Sequence, residues 1–195
     1  MVCSDDMKIN CPRSNSKKWA WKWAGEGLSG RWVEGTVKFG GGSVMMWGCM
    51  LWDGPRYACK IDGRMDGGLF IQISDDELQE SPAHYGKSPQ DTIFQQDNDP
   101  KHTCKKAYEW FKNHGFTLLQ WSAQSPDLNP IDYFWEDIKR SSGEYEMPPS
   151  GMLELWERVE SEWDKIPAEV CQNLIESMPK KIEAVLKVKG GDTKY

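Results

Sequence analysis

At 195 residues, with a formal net charge of −6 and a mean hydropathy of −0.69, the chain suits one globular domain that buries about 70% of its unfolded surface. Its six cysteines are scattered, with no CxxC pair and no histidine at zinc-ligand spacing, which excludes a disulfide framework and a structural zinc site and leaves reduced thiols. Neither a signal peptide nor the about 20 apolar residues of a membrane helix can be read, so a soluble, non-secreted protein is expected.

Charge is spread unevenly. Residues 1 to 60 carry nine basic and five acidic side chains, residues 61 to 140 eight and fourteen, and residues 141 to 195 seven and eleven. The acidic middle argues against a wholly nucleic-acid-binding surface. It suits divalent cations, whose charge would invert the field offered to a phosphate.

In chain order, Met1 to Ser4 predicts a stub of strand ending on Asp5. Lys18 to Trp23 alternates bulky aromatics with smaller or charged residues, the period-2 pattern of a half-buried strand whose rings pack into a core rather than stack on bases. Gly40-Gly41-Gly42 leads into the apolar run Ser43 to Met50, a buried strand. The triple glycine lacks the Gly-Lys-Ser/Thr ending and following helix of a phosphate loop. Tyr57 to Ile61, after the Gly54-Pro55 turn, completes a three-strand antiparallel meander. Gly67 to about Tyr85 predicts a helix with Leu69, Phe70, Ile73 and Leu78 on one face, which Pro82 ends or kinks.

Thr92 to Gln96 is a short buried strand. Thr103 caps a helix running to about His114, where Gly115 supplies a left-handed stop. Phe116 to Trp121 is the next strand, and a helix opened by Pro130 runs to about Arg140. Strands followed by alternating helices and strands predict an α/β fold with a mixed sheet over residues 1–143. After a polar connector from Glu144 to Ser150, Met152, Leu155, Trp156, Val159 and Trp163 recur at helical spacing. Pro167 and Pro179 each open a further helix, so residues 144–195 form a helical segment packed on the core.

Three acids stand where regular structure begins or ends. Asp97 closes its strand because Asn98-Asp99-Pro100 turns the chain. Asn129 is placed to cap the Pro130 helix, which puts Asp132 at the third helical position. If the strand carrying Asp5 lies beside the one ending at Asp97, both carboxylates leave the same sheet edge and Asp132 approaches from the adjacent helix. Three hard oxygen donors suit two Mg²⁺ or Mn²⁺ ions about 3.5–4 Å apart acting on a phosphodiester, whereas cysteine or histidine would favour softer metals. Each acid also has a structural alternative. Asp132 can close a capping box with Asn129, the reading favoured by spacing alone; Asp97 and Asp99 can be turn formers, and Asp5 a terminal charge. His102 can bind metal or a phosphate, but reads rather as a solvent-facing residue beside a helix cap, and Lys101, Lys105 and Lys106 can contact DNA phosphates, but read rather as an exposed helical face.

These residues resemble the catalytic domain of mariner-superfamily transposases nearly end to end. Ser4-Asp5-Asp6 resembles the first-acid motif, usually Ser-Asp-Glu, and Gly40 to Gly48 the glycine and tryptophan strand entry. Gln95 to His102 resembles the second-acid motif and Ser125 to Asp132 the third, with 34 residues between Asp97 and Asp132. The resemblance implies a ribonuclease H-like fold and DNA cutting and rejoining with two Mg²⁺ or Mn²⁺ ions on Asp5, Asp97 and Asp132. It also implies DNA as partner, no organic cofactor and a nuclear location, and it is compatible with a homodimer.

The departures are specific. Aspartate stands at 132 where one branch of the family has glutamate, shorter by one methylene. Only four residues precede Asp5, so a clipped first strand is expected, and the family's N-terminal helix-turn-helix region is expected to be missing together with recognition of transposon ends. Two other functions are carried forward: a domesticated relic that binds nucleic acid or protein without catalysis, and a ribonuclease H-like nuclease for RNA-DNA hybrids, which the motif wording disfavours.

Overall fold

A computed structural model of the chain describes residues 1–11, 42–122, 125 and 128–189. Five strands form one mixed sheet in the order β3-β2-β1-β4-β5. β1 (Val2–Asn10), β2 (Ser43–Leu51) and β3 (Gly54–Ile61) are the antiparallel meander, while β4 (Ile93–Gln95) lies parallel to β1 and β5 (Thr117–Leu118) parallel to β4. The first strand extends well past Asp5. It runs nine residues with Asp5 inside it, because Met7 and Ile9 bury on the face that takes Cys3 and every residue of β1 finds a partner on β2. Lys18 to Trp23, expected as a strand of the meander, lies outside the described residues, and β1 occupies that place. The strand expected from Phe116 to Trp121 shrinks to two residues, since β4, its one neighbour among the described residues, offers three residues to pair with.

Helices cover both faces. On one side lie α1 (Gly67–Ile73), a widened turn over Ser74–Leu78, α2 (Glu80–His84) and α3 (Lys105–His114); on the other lie α4 (Pro130–Gly143), α5 (Met152–Asp164) and α6 (Ala168–Lys187). The alternation of β1 sends Val2 into the first layer and Cys3, Met7 and Ile9 into the second. Asp66 starts α1 by accepting the Gly68 and Leu69 amides at 2.9 Å each. Gln79 N closes the widened turn on Ser74 O at 3.2 Å, upstream of Pro82, whose missing N–H cannot serve a regular turn there. Gly115, at φ 80°, terminates α3 in the left-handed region as expected. Thr103 does not cap α3; its hydroxyl donates to Asp99 O at 3.1 Å, and Cys104 holds the cap position.

Pro179 opens no separate helix. It sits inside α6, which continues through it because Cys171, Leu174, Ile175 and Lys181 are buried or half-buried on both sides of the break. The lost hydrogen bond is outweighed by packing on both halves.

Gly48 sets how closely the second helical layer approaches the sheet. It is the β2 partner of Asp5, and a methyl group in its place would meet ring carbons of Trp163 at 2.7 Å and Trp135 at 2.9 Å. Those two indoles stack with centroids 5.4 Å apart. Trp135 lies three residues after Asp132 on α4, so the glycine lets the first turn of that helix settle against β1.

Candidate active site

The sheet register accounts for two of the three acids. Cys3 pairs with Gln95, the last residue of β4, in the parallel β1–β4 ladder, so Asp5 lies two residues further along β1 and Asp97 two residues beyond the end of β4. Asp132 arrives at the third position of α4, after Asn129 and Pro130, as the sequence predicts.

Asp5 and Asp132 are in direct contact through a side-chain hydrogen bond. Burial and the neighbouring Asp132 carboxylate push the Asp5 carboxyl up to about 8, against the help of the Asp6 amide, which donates to Asp5 Oδ1 at 2.8 Å. Asp132 is raised too, first by burial and further by the field of Asp97, while hydrogen bonds from Asp5 and Asn129 and the charge of Lys139 pull the other way. Burial and neighbouring carboxylates thus favour the protonated form at both carboxyls, most strongly at Asp5. Asn129 does not cap α4 with its side chain; it hydrogen-bonds Asp132, and its own buried Oδ1 has no partner among the described residues. The capping-box alternative does not form, since the bond at this helix start is Asp132 N to Asn129 O at 3.2 Å.

Asp97 is anchored differently. Its Oδ1 accepts the Asp99 amide at 3.1 Å and the His102 ring at 2.5 Å. Burial pushes its carboxyl up, but those bonds and the charges of His102 and Lys101 outweigh it and hold Asp97 below the usual carboxylate range. The turn beyond is locked by Asp99, whose side chain accepts Lys101 N at 2.9 Å and Lys101 Nζ at 2.7 Å. Lys101 Nζ also reaches Asp6 at 3.1 Å, tying the turn to the other face of β1. Asp97 and Asp99 thus do form the turn, and Asp97, with its side chain 46% exposed, also presents a charge to solvent.

The structure brings Asp5 and Asp132 into contact and sets Asp97 close enough to act on the charge of Asp132. Among the described residues, no group of three or more His, Cys, Asp or Glu is gathered closely enough to hold a metal ion by itself. Three residues were not read as supports of the acids. His102 is 2% exposed and faces Asp97, not solvent. The signal was the tight turn Asn98-Asp99-Pro100, which returns the chain to Asp97 within five residues. Gly48 could have been found as a lone glycine inside an apolar strand, a mark of close approach. Asn129 was read only as a cap.

The family described as DDE superfamily endonuclease matches residues 1–148. The Tcb1 transposase of Caenorhabditis briggsae is 36% identical over 195 residues, covering all of this chain and 70% of that protein. The Tc1 transposase of Caenorhabditis elegans is 36% identical over 194 residues, again covering 70% of its length. Among solved structures, the Mos1 transposase paired-end complex with left transposon end aligns with a TM-score of 0.79 at 17% identity, covering 100% of this chain and 55% of that one. The Mos1 transposase catalytic domain with raltegravir and Mg aligns with a TM-score of 0.68 at 14% identity, covering 99% and 85%. The chain thus spans little more than half of the Mos1 chain in the paired-end complex, and the two share the ribonuclease H-like fold.

Proposed function

The chain belongs to the DDE superfamily endonucleases, and from that membership we propose that it is the catalytic portion of a Tc1/mariner-type transposase, cutting and rejoining DNA phosphodiesters at Asp5, Asp97 and Asp132 with two divalent cations. The observation that carries this proposal is the Asp5–Asp132 contact, in which two carboxyls from different elements are crowded side by side and each holds a proton above the usual carboxylate range. A cation would replace that proton and relieve the repulsion. The donor set is hard oxygen throughout, which fits Mg²⁺ or Mn²⁺.

When bound, the cations supply Lewis-acid polarisation of the phosphodiester and activation of the attacking oxygen. The chain's own residues do the rest. Asp97, held below the usual carboxylate range, would supply standing negative charge to the cations, and Asp5 would have to give up its proton to serve as a ligand. Asn129 orients Asp132, while the packing of Trp135 and Trp163 over Gly48 keeps α4 against β1. The implied chemistry is two in-line displacements: water releases a 3′-hydroxyl, and that hydroxyl attacks target DNA. Family membership also supports DNA as the partner, a nuclear location and assembly as a homodimer.

A second function, a fold that binds nucleic acid without catalysis, is favoured by one observation: the three acids do not close into a ready ligand cage among the described residues. Nicking of supercoiled plasmid by the purified chain with Mn²⁺ separates the two. Catalysis predicts weak, nonspecific nicking that Asp97→Ala abolishes; no nicking, or equal nicking by Asp97→Ala, rejects it.

A further inference from the structure

We propose that His102 is the positioning residue of Asp97, reserving one oxygen of that carboxylate for a cation; the inference rests on reading Asp97 as a cation ligand. The ring is 2% exposed and packs on Phe70 with centroids 4.5 Å apart. Its backbone is pinned at both ends: His102 N donates to Asp99 O at 2.9 Å, and His102 O accepts from Gln96 Nε2 at 3.1 Å. A ring clamped in this way has one direction in which to spend a hydrogen bond. Nδ1 spends it on Asp97 Oδ1 at 2.5 Å, and because an ionised carboxylate can only accept, Nδ1 carries the proton.

The other ring nitrogen shows that the geometry is selective. Nε2 is buried, 3.6 Å from Asp6 Oδ1 and without a hydrogen-bond partner among the described residues, while Asp6 is engaged by Lys101 Nζ at 3.1 Å. Had the ring served only to fill space beside Phe70, the half-exposed Asp97 carboxylate would be free to turn. Instead, both bonds made to Asp97 fall on Oδ1, from the His102 ring and from the Asp99 amide at 3.1 Å. Among the described residues no hydrogen bond falls on Oδ2. Rotation of the carboxylate is thereby stopped with Oδ2 presented, the arrangement by which an outer partner fixes a metal-binding group before the ion arrives.

The test compares three variants by calorimetric titration with Mn²⁺ alone, with thermal melting to establish folding. His102→Asn keeps an N–H near the Nδ1 position, His102→Gln moves it toward Nε2, and His102→Leu keeps bulk without a donor. Gln and Leu are expected to raise the Mn²⁺ dissociation constant about 10–100-fold, and Asn by no more than about threefold. In plasmid nicking, kcat falls for Gln and Leu with KM for DNA unchanged. Folded Gln and Leu variants that bind Mn²⁺ as the wild type does overturn the inference. Should those two fail to fold, the wild type decides it by nuclear magnetic resonance: a protected, downfield His102 Nδ1 proton, lost in Asp97→Ala, is expected, and its absence overturns the inference. A wild type that takes up no Mn²⁺ sinks the Asp97 reading itself, and this inference with it.

Discussion

Asp5 is the residue at which burial and charge conflict most sharply. Its carboxyl rises from an ordinary value of 3.8 to about 8 in the folded chain, first through burial and then through Asp132. The folded state therefore binds more protons than the unfolded state between about pH 4 and pH 8, and linkage makes the metal-free protein lose stability as pH rises through that window. Asp5→Asn has no such proton to lose. It is expected to melt above the wild type at pH 8, by about 2–4 °C for each kcal/mol of relieved repulsion in a domain of this size, and the gap should close toward pH 5. Thermal melting followed by circular dichroism checks this, and a wild type as stable as Asp5→Asn at pH 8 refutes it. Asp97 is opposite in sign, held down by His102 despite burial. That contrast could not be seen in the sequence, where both are aspartates beside turn or strand residues and the partner that separates them, His102, reads as a surface residue.

Among the elements, α4 matters most, because its first turn carries Asp132 and its buried face carries Ile131, Phe134, Trp135 and Ile138. Its seat depends on Gly48. Gly48→Ala would put a methyl group 2.7–2.9 Å from the Trp163 and Trp135 rings, an overpacking that costs about 1–3 kcal/mol and lifts α4 from β1 with loss of nicking. Gly143→Ala, with nothing within 4 Å at the other end of the same helix, should leave both unchanged. Equal melting temperatures for the two variants would contradict this account. The elements most legible in sequence were those whose burial is periodic or whose ends carry a stop residue: β2 from its apolar run, α5 from Leu155, Val159 and Trp163, and α3 from Gly115. The full length of β1 was hidden, because Asp5, Asp6 and Lys8 interrupt its apolar pattern and its pairing with β2 comes from distant sequence. Pro179 misled for a related reason: local propensity marks a break, and tertiary packing carries α6 across it.

For the molecule as a whole, function depends on a sheet order that sequence does not encode locally. β1 is central, paired with β2 on one side and β4 on the other, and that placement sets the strand carrying Asp5 beside the strand that leads into Asp97. The α/β class was legible from the alternation of strands and helices, but the pairing of β1 with β4 was only a condition on which the site depended. The claim that these three acids share cations is tested most directly by the anomalous diffraction of crystals of this chain grown with Mn²⁺. The account predicts an anomalous peak bounded by the carboxylates of Asp5, Asp97 and Asp132; saturating Mn²⁺ with no peak at those side chains would contradict it.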